Sequence, residues 1–215
     1  KIHVVLFRAP PRLEDGGALT RSSLALETAD SCLYAAGNLQ RPAAFLWPQQ
    51  SENGAPGPWG GFLSAFAATG ITKADWEAAF GSELGAIGNW PADSRKPDVF
   101  LTVEVKDFGK AKAVLQKLAT ASPESGGWSS SEKDGVVYYK QPPPNPMVPV
   151  TPTIGLSNRA LIAGLDAATV ENAIQRPAAQ KSSLAATENF KKAESWLPTA
   201  KQSFVYFDLP LLYER

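Results

Sequence analysis

Asp98-Val99-Phe100-Leu101-Thr102-Val103-Glu104-Val105-Lys106, followed by Asp107-Phe108-Gly109-Lys110-Ala111-Lys112-Ala113-Val114-Leu115-Gln116-Lys117-Leu118, changes its period once, and that change decides the fold. As far as Lys106 the residues alternate. Val99, Leu101, Val103 and Val105 share one side, while Phe100, Thr102, Glu104 and Lys106 share the other, which is the two-residue period of a half-buried strand. The odd-numbered side is expected to be the buried one. At Asp107 the period becomes helical: Asp107 stands at an N-cap, Phe108, Ala111, Val114, Leu115 and Leu118 form one stripe, and Lys110, Lys112 and Lys117 fall mostly opposite. The helix is therefore expected to lie on the sheet, its stripe against the odd-numbered valines. Beyond residues 123–127, two short segments, 128–132 and 136–140, flank Lys133-Asp134-Gly135, where Gly tolerates the positive φ of a tight hairpin. The sum is a β-α-β-β unit.

The same grammar recurs on either side. Residues 153–157 and 159–164 read as strands around Asn158, and Asp166 caps a helix with Ala167, Val170 and Ile174 on its apolar side. Thr187 caps another, with Phe190, Ala193, Trp196 and Leu197 on one stripe before Pro198 turns the chain into a last strand. Earlier, 61–69 and 72–80 read as two helices broken at Gly70, the second opened by Thr72 with Asp75 in a capping-box arrangement. Hairpins with helices between them predict an α+β fold, a mixed or mainly antiparallel sheet covered on one face by helices and built from β-α-β-β units. Residues 1–215 are expected to form a single domain, part of a larger protein, with a sub-boundary near 92–97. Two stretches, 49–61 and the Pro-rich 141–152, are expected to be loops, the second either a stiff connector or a polyproline ligand.

An echo links the two ends of the chain. Leu26-Glu27-Thr28-Ala29-Asp30 runs into Ser31-Cys32-Leu33-Tyr34-Ala35, and Leu197-Pro198-Thr199-Ala200-Lys201 leads to Ser203-Phe204-Val205-Tyr206-Phe207. Each is a turn opening onto an apolar strand. Taken as a repeat, it makes 198–215 the start of a second module.

Composition removes several chemistries. Lys plus Arg equals Asp plus Glu at 21 each, so no global field gathers nucleic acid or anionic lipid. No stretch approaches the roughly 20 apolar residues of a membrane span. Cys32 is the only cysteine and His3 the only histidine, which leaves no disulfide within the chain, no Cys-pair metal site and no His-rich one. Cys32, in a predicted strand, reads as a small buried hydrophobe. Neither a nucleophile elbow nor a phosphate loop occurs, and no cofactor is expected.

Two groups of residues remain as candidates. Glu104 lies on the polar side of its strand, with Asp107, Glu132 and Asp134 close enough in the expected fold to supply a second carboxylate for acid-base chemistry. Each of these three also has an ordinary local job, in a cap, a hairpin or a turn. Of the six tryptophans, Trp76, Trp128 and Trp196 fall in predicted helices or strands and are expected in the core. Trp47, Trp59 and Trp90 each adjoin a proline and are the candidates for an exposed ligand-binding surface.

The runs Gly85-Ala86-Ile87-Gly88-Asn89-Trp90-Pro91, 97–118 and Ala160-Leu161-Ile162-Ala163-Gly164, together with Asn189-Phe190-Lys191-Lys192-Ala193 leading to Phe204-Val205-Tyr206-Phe207-Asp208-Leu209, resemble a family of uncharacterised bacterial extracytoplasmic proteins. The resemblance implies a repeated α+β module in a secreted, periplasmic or envelope-anchored protein, and it carries over no catalytic residue. The expectation is accordingly a noncatalytic binding or scaffold module with a protein or carbohydrate partner. The alternative is a carboxylate-dependent, glycosidase-like hydrolase centred near Glu104.

Overall fold

Tight turns and capped helix starts separate the elements. The computed structural model describes residues 19–38, 69–120, 127–143, 150–176, 184–196 and 203–215. Strands β1 (Ser31–Asn38), β2 (Phe80–Asn89), β3 (Asp98–Val105), β4 (Ser129–Lys133), β5 (Val136–Lys140), β6 (Thr153–Leu156), β7 (Ala160–Gly164) and β8 (Ser203–Phe207) form one sheet in the order β4-β5-β6-β7-β3-β2-β1-β8. Every neighbouring pair is antiparallel. Helices α1 (Lys73–Ala79), α2 (Phe108–Thr120), α3 (Ala167–Gln175), α4 (Glu188–Ser195) and α5 (Leu209–Glu214), with 3-10 segments at Ser22–Leu26 and Leu184–Ala186, complete an α+β fold.

The junctions follow from local chemistry. Thr72 and Asp75 form a reciprocal capping box at the start of α1. The Asp107 carboxylate accepts from the Lys110 backbone N–H at 3.0 Å, Asp166 from those of Ala168 and Thr169, and Thr187 from that of Phe190. Between β4 and β5 only Asp134 and Gly135 intervene, at φ 54° and 74°, so both central residues of this turn are left-handed, as the two-residue hairpin requires.

Helices cover both faces of the sheet, where the sequence led us to expect one. On one face α1 and α2 bury Val103, Val105, Val137, Tyr139, Leu156 and Leu161 against Ala111, Val114 and Leu115. On the other, α3, α4 and the first 3-10 segment enclose Tyr34, Ile87, Phe100, Tyr138, Ile162, Phe204 and Tyr206 around Val170, Ile174 and Phe190. This corrects the reading of β3. Val103 and Val105 do lie under the α2 stripe, but Val99 and Leu101 are 50% and 45% exposed, while Phe100 and Thr102 on the even-numbered side are buried. The cause is reach: α2 covers only the end of β3 from which it springs, and α3 covers the opposite face further along.

Two further expectations meet the topology. Residues 92–97, read as a sub-boundary, join the adjacent strands β2 and β3. Ser203–Phe207, read as the opening of a second module, is the edge strand beside β1, and the two echo tyrosines, Tyr34 and Tyr206, face each other in register. The second corner of the echo, the 49–61 loop and all but Thr69 of the helix expected over 61–69 lie outside the described residues. So does half of the Pro-rich connector, residues 144–149.

Candidate functional site

Cross-strand pairing places a row of apolar side chains on the face that α1 and α2 only partly cover. Leu101 stands opposite Ala163 on β7 and Ala86 on β2, Ala86 opposite Ala35 on β1, and Ala35 opposite Val205 on β8. One step along the strands, Val99, Gly88, Leu33 and Phe207 form a second row. Paired residues of an antiparallel sheet point to the same side, so these rows make one continuous strip. It contains no charged residue. Val99, Leu101, Val205 and Phe207 are its exposed members.

The other face carries a cleft. It opens beneath the 3-10 segment Ser22–Leu26, which rests so closely on β2 that a Cβ on Gly85 would meet the Ser23 Cβ at 2.5 Å. Glu83 pins this segment, accepting from Thr20 Oγ1 (2.9 Å), the Arg21 backbone N–H (2.5 Å) and Ser23 Oγ (3.2 Å). The cleft has a volume of about 180 Å³ and is lined by Leu26, Ile162 and Ile174 among its apolar residues and by Glu83, Glu104 and Arg159 among its charged ones. Of the carboxylates considered as partners of Glu104 for acid-base chemistry, Asp107 caps α2, Glu132 pairs with Lys112 at 3.1 Å and Asp134 makes the hairpin turn, while Glu83, which the sequence reading did not single out, holds three donors. Glu104 shares the cleft with Glu83.

Sequence reasoning passed over a second buried carboxylate. Glu27, at the exit of the 3-10 segment, is fully buried, and neither of its side-chain oxygens has a hydrogen-bond partner among the described residues. Burial raises its pKa from 4.5 to about 8, against the opposing influence of Ser31 and Arg176. Arg176 donates to the Leu26 carbonyl at 2.9 Å and lies 5.7 Å from the Phe100 ring centre. Asn89 pairs fully only when its amide oxygen faces Arg176, at 2.7 Å, and its NH2 faces Ser31 Oγ. The sequence signal was slight: Glu27 directly follows the apolar run Leu24-Ala25-Leu26.

Of the tryptophan candidates, Trp47 and Trp59 lie outside the described residues. Trp90 is half-buried and anchors the β2–β3 connection, its ring N–H donating to the Ser94 carbonyl at 3.1 Å. Trp76 and Trp128 pack beside the core, whereas Trp196, expected in it, is 54% exposed at the end of α4. The short α4 buries only Phe190, so its stripe is too narrow to carry Trp196 inward. Cys32 is buried, its Sγ donating to the Gly88 carbonyl at 3.3 Å, and burial pushes its thiol pKa up, away from nucleophile chemistry. Among the described residues no helix is long and apolar enough to cross a membrane. No protein-family model matches the chain, and no significant match is found among curated proteins or solved structures.

Proposed function

We propose that this chain is a noncatalytic binding module of a bacterial secreted or cell-envelope protein, and that the apolar strip of its sheet receives an amphipathic helix from a protein partner. The observation that carries the reading is the strip itself: five neighbouring strands present apolar or glycine positions, with Val99, Leu101, Val205 and Phe207 exposed. Patches of this kind mark interaction sites. Its dimensions favour a helix. Across five strands it measures about 19 Å, and along them it is two side-chain rows deep, the footprint of about 13 residues of helix some 10 Å thick. It also continues the layer in which α1 and α2 already pack on the same face. The absence of charge within the strip selects an apolar protein stripe over an anionic surface, and its lack of aromatic platforms apart from Phe207 disfavours a sugar ring. The extracytoplasmic setting rests on the family resemblance of the sequence.

The test uses two charged variants, Leu101→Glu and Val205→Glu, and a synthetic helix of about 13 residues with a Leu/Ala face as probe. A docking surface predicts a monomer in sedimentation velocity, urea midpoints within about 0.5 kcal/mol of the parent chain, and peptide binding that both variants abolish. A loss of more than about 2 kcal/mol would overturn the proposal, because the strip would then be part of the chain's own interior, with residues such as 39–68 as the occupant. A dimer dissolved by either variant would also overturn it, making a second copy the occupant.

A further inference from the structure

The cleft beneath the 3-10 segment lies on the opposite face of the sheet from the strip, and its chemistry points to a different kind of ligand. Glu104 and Arg159 both line it, and β3 and β7 bring them close together, since Glu104 stands opposite Ala160 and the Arg159 carbonyl accepts from the Val105 N–H at 3.0 Å. Yet they form no ion pair. The Glu104 carboxylate is exposed and makes no hydrogen bond or ion pair with any described residue. Arg159 is fixed from behind, its Nη2 reaching the carbonyls of Ile174 (3.5 Å) and Arg176 (3.4 Å) at the end of α3, which leaves its remaining N–H groups for a partner. The same cleft is lined by the apolar side chains of Leu26, Ile162 and Ile174, with Glu83 and Thr102 beside them.

We propose that this cleft binds an apolar α-amino acid. Its side chain packs against Leu26, Ile162 and Ile174, its ammonium group meets Glu104, and its carboxylate meets Arg159. The volume of about 180 Å³ admits one branched aliphatic or phenyl group, since a cavity of about 150 Å³ takes a benzene ring. The paired charges explain why one ligand carries both signs: a ligand with only an ammonium or only a carboxylate leaves the other charged group without a partner. Gly81 serves the same arrangement. A Cβ there would stand 2.9 Å from the Glu104 Cβ and 3.0 Å from its Oε2, so a side chain at 81 pushes the carboxylate out of place.

Calorimetric titration of the full chain with L-leucine and L-phenylalanine tests the proposal, with 3-methylbutylamine and 4-methylpentanoate as probes carrying one charge each. The expected result is saturable binding of an amino acid below about 10 mM, at least about tenfold tighter than either single-charge probe. Glu104→Gln, at an exposed position without partners, should fold normally and weaken the amino acid about tenfold while leaving 4-methylpentanoate unchanged. Arg159→Lys, which keeps the charge but loses the fork, should weaken the amino acid and the carboxylate probe alike. No saturation by any amino acid, or equal binding by the parent chain and Glu104→Gln, would overturn the assignment.

Discussion

Glu27 concentrates the unusual energetics of this protein in one side chain. A buried carboxylate without hydrogen bonds is tolerated in its neutral form and costly in its charged form. With a folded-state pKa of about 8 against 4.5 in the open chain, the folded protein holds a proton that the unfolded chain has already released over that interval. Stability is therefore fully present below about pH 4.5 and falls as pH rises toward and through 8, by at most about 5 kcal/mol for the whole interval. Glu27→Gln, which keeps the shape and cannot ionise, should remove this slope. Urea denaturation at pH 5 and pH 8.5 checks it: the parent chain should lose stability between the two, and the variant should lose much less. A parent chain equally stable at both values would show that Arg176 compensates the charge and that the raised pKa is not realised.

At the scale of elements, what was legible in the sequence was whatever one junction decides by itself. The Asp134-Gly135 hairpin, the Thr72–Asp75 box and the caps at Asp107, Asp166 and Thr187 all occur as the residue types demand, because their partners lie within three or four positions. Asp107→Ala should accordingly cost about 1 kcal/mol, read from the shift in thermal or urea midpoint. The exposed end of β3 was not legible, because alternation shows that a strand has two faces and not which helix covers which length of each. β2 was missed for a related reason: Phe80–Asn89 mixes glycines with buried Glu83 and Asn89, and those polar residues are buried only because the distant 3-10 segment and β1 meet them. The cleft shares that origin. Gly85 is where the 3-10 segment touches the sheet, and Gly85→Ala must push Ser23 and Thr102 aside, at a cost of about 1–3 kcal/mol. An Ala at 85 with undiminished stability would mean that the segment does not sit on β2 in solution.

The whole molecule closes on itself through its last strand. β8 lies against β1, so the sheet is completed only when residues near the two ends of the described chain meet. Phe204 and Tyr206 then enter the aromatic group around Tyr34 and Phe190, with ring centres 5.8 Å apart for Tyr34–Phe204 and 5.0 Å for Phe190–Tyr206. Asp208 extends the closure: its backbone N–H donates to the Cys32 carbonyl at 2.9 Å and its carboxylate accepts from the Tyr206 hydroxyl at 2.9 Å. An independent second module starting at 198 and a closing strand of the first predict opposite results for a chain ending at residue 202. If 203–215 belonged to another unit, its removal would leave the thermal transition of the rest unchanged. As the edge of this sheet, its removal uncovers β1 and strips two aromatic side chains from the core, each worth about 3–5 kcal/mol when deleted. That sum is comparable to the whole stability of a domain of this size. The shortened chain should lose its near-ultraviolet circular dichroism and its cooperative unfolding while retaining helical signal from α2 and α3, and adding a 203–215 peptide should restore part of both. A sharp, undiminished transition would return 198–215 to a separate module and make the β1–β8 pairing incidental to folding.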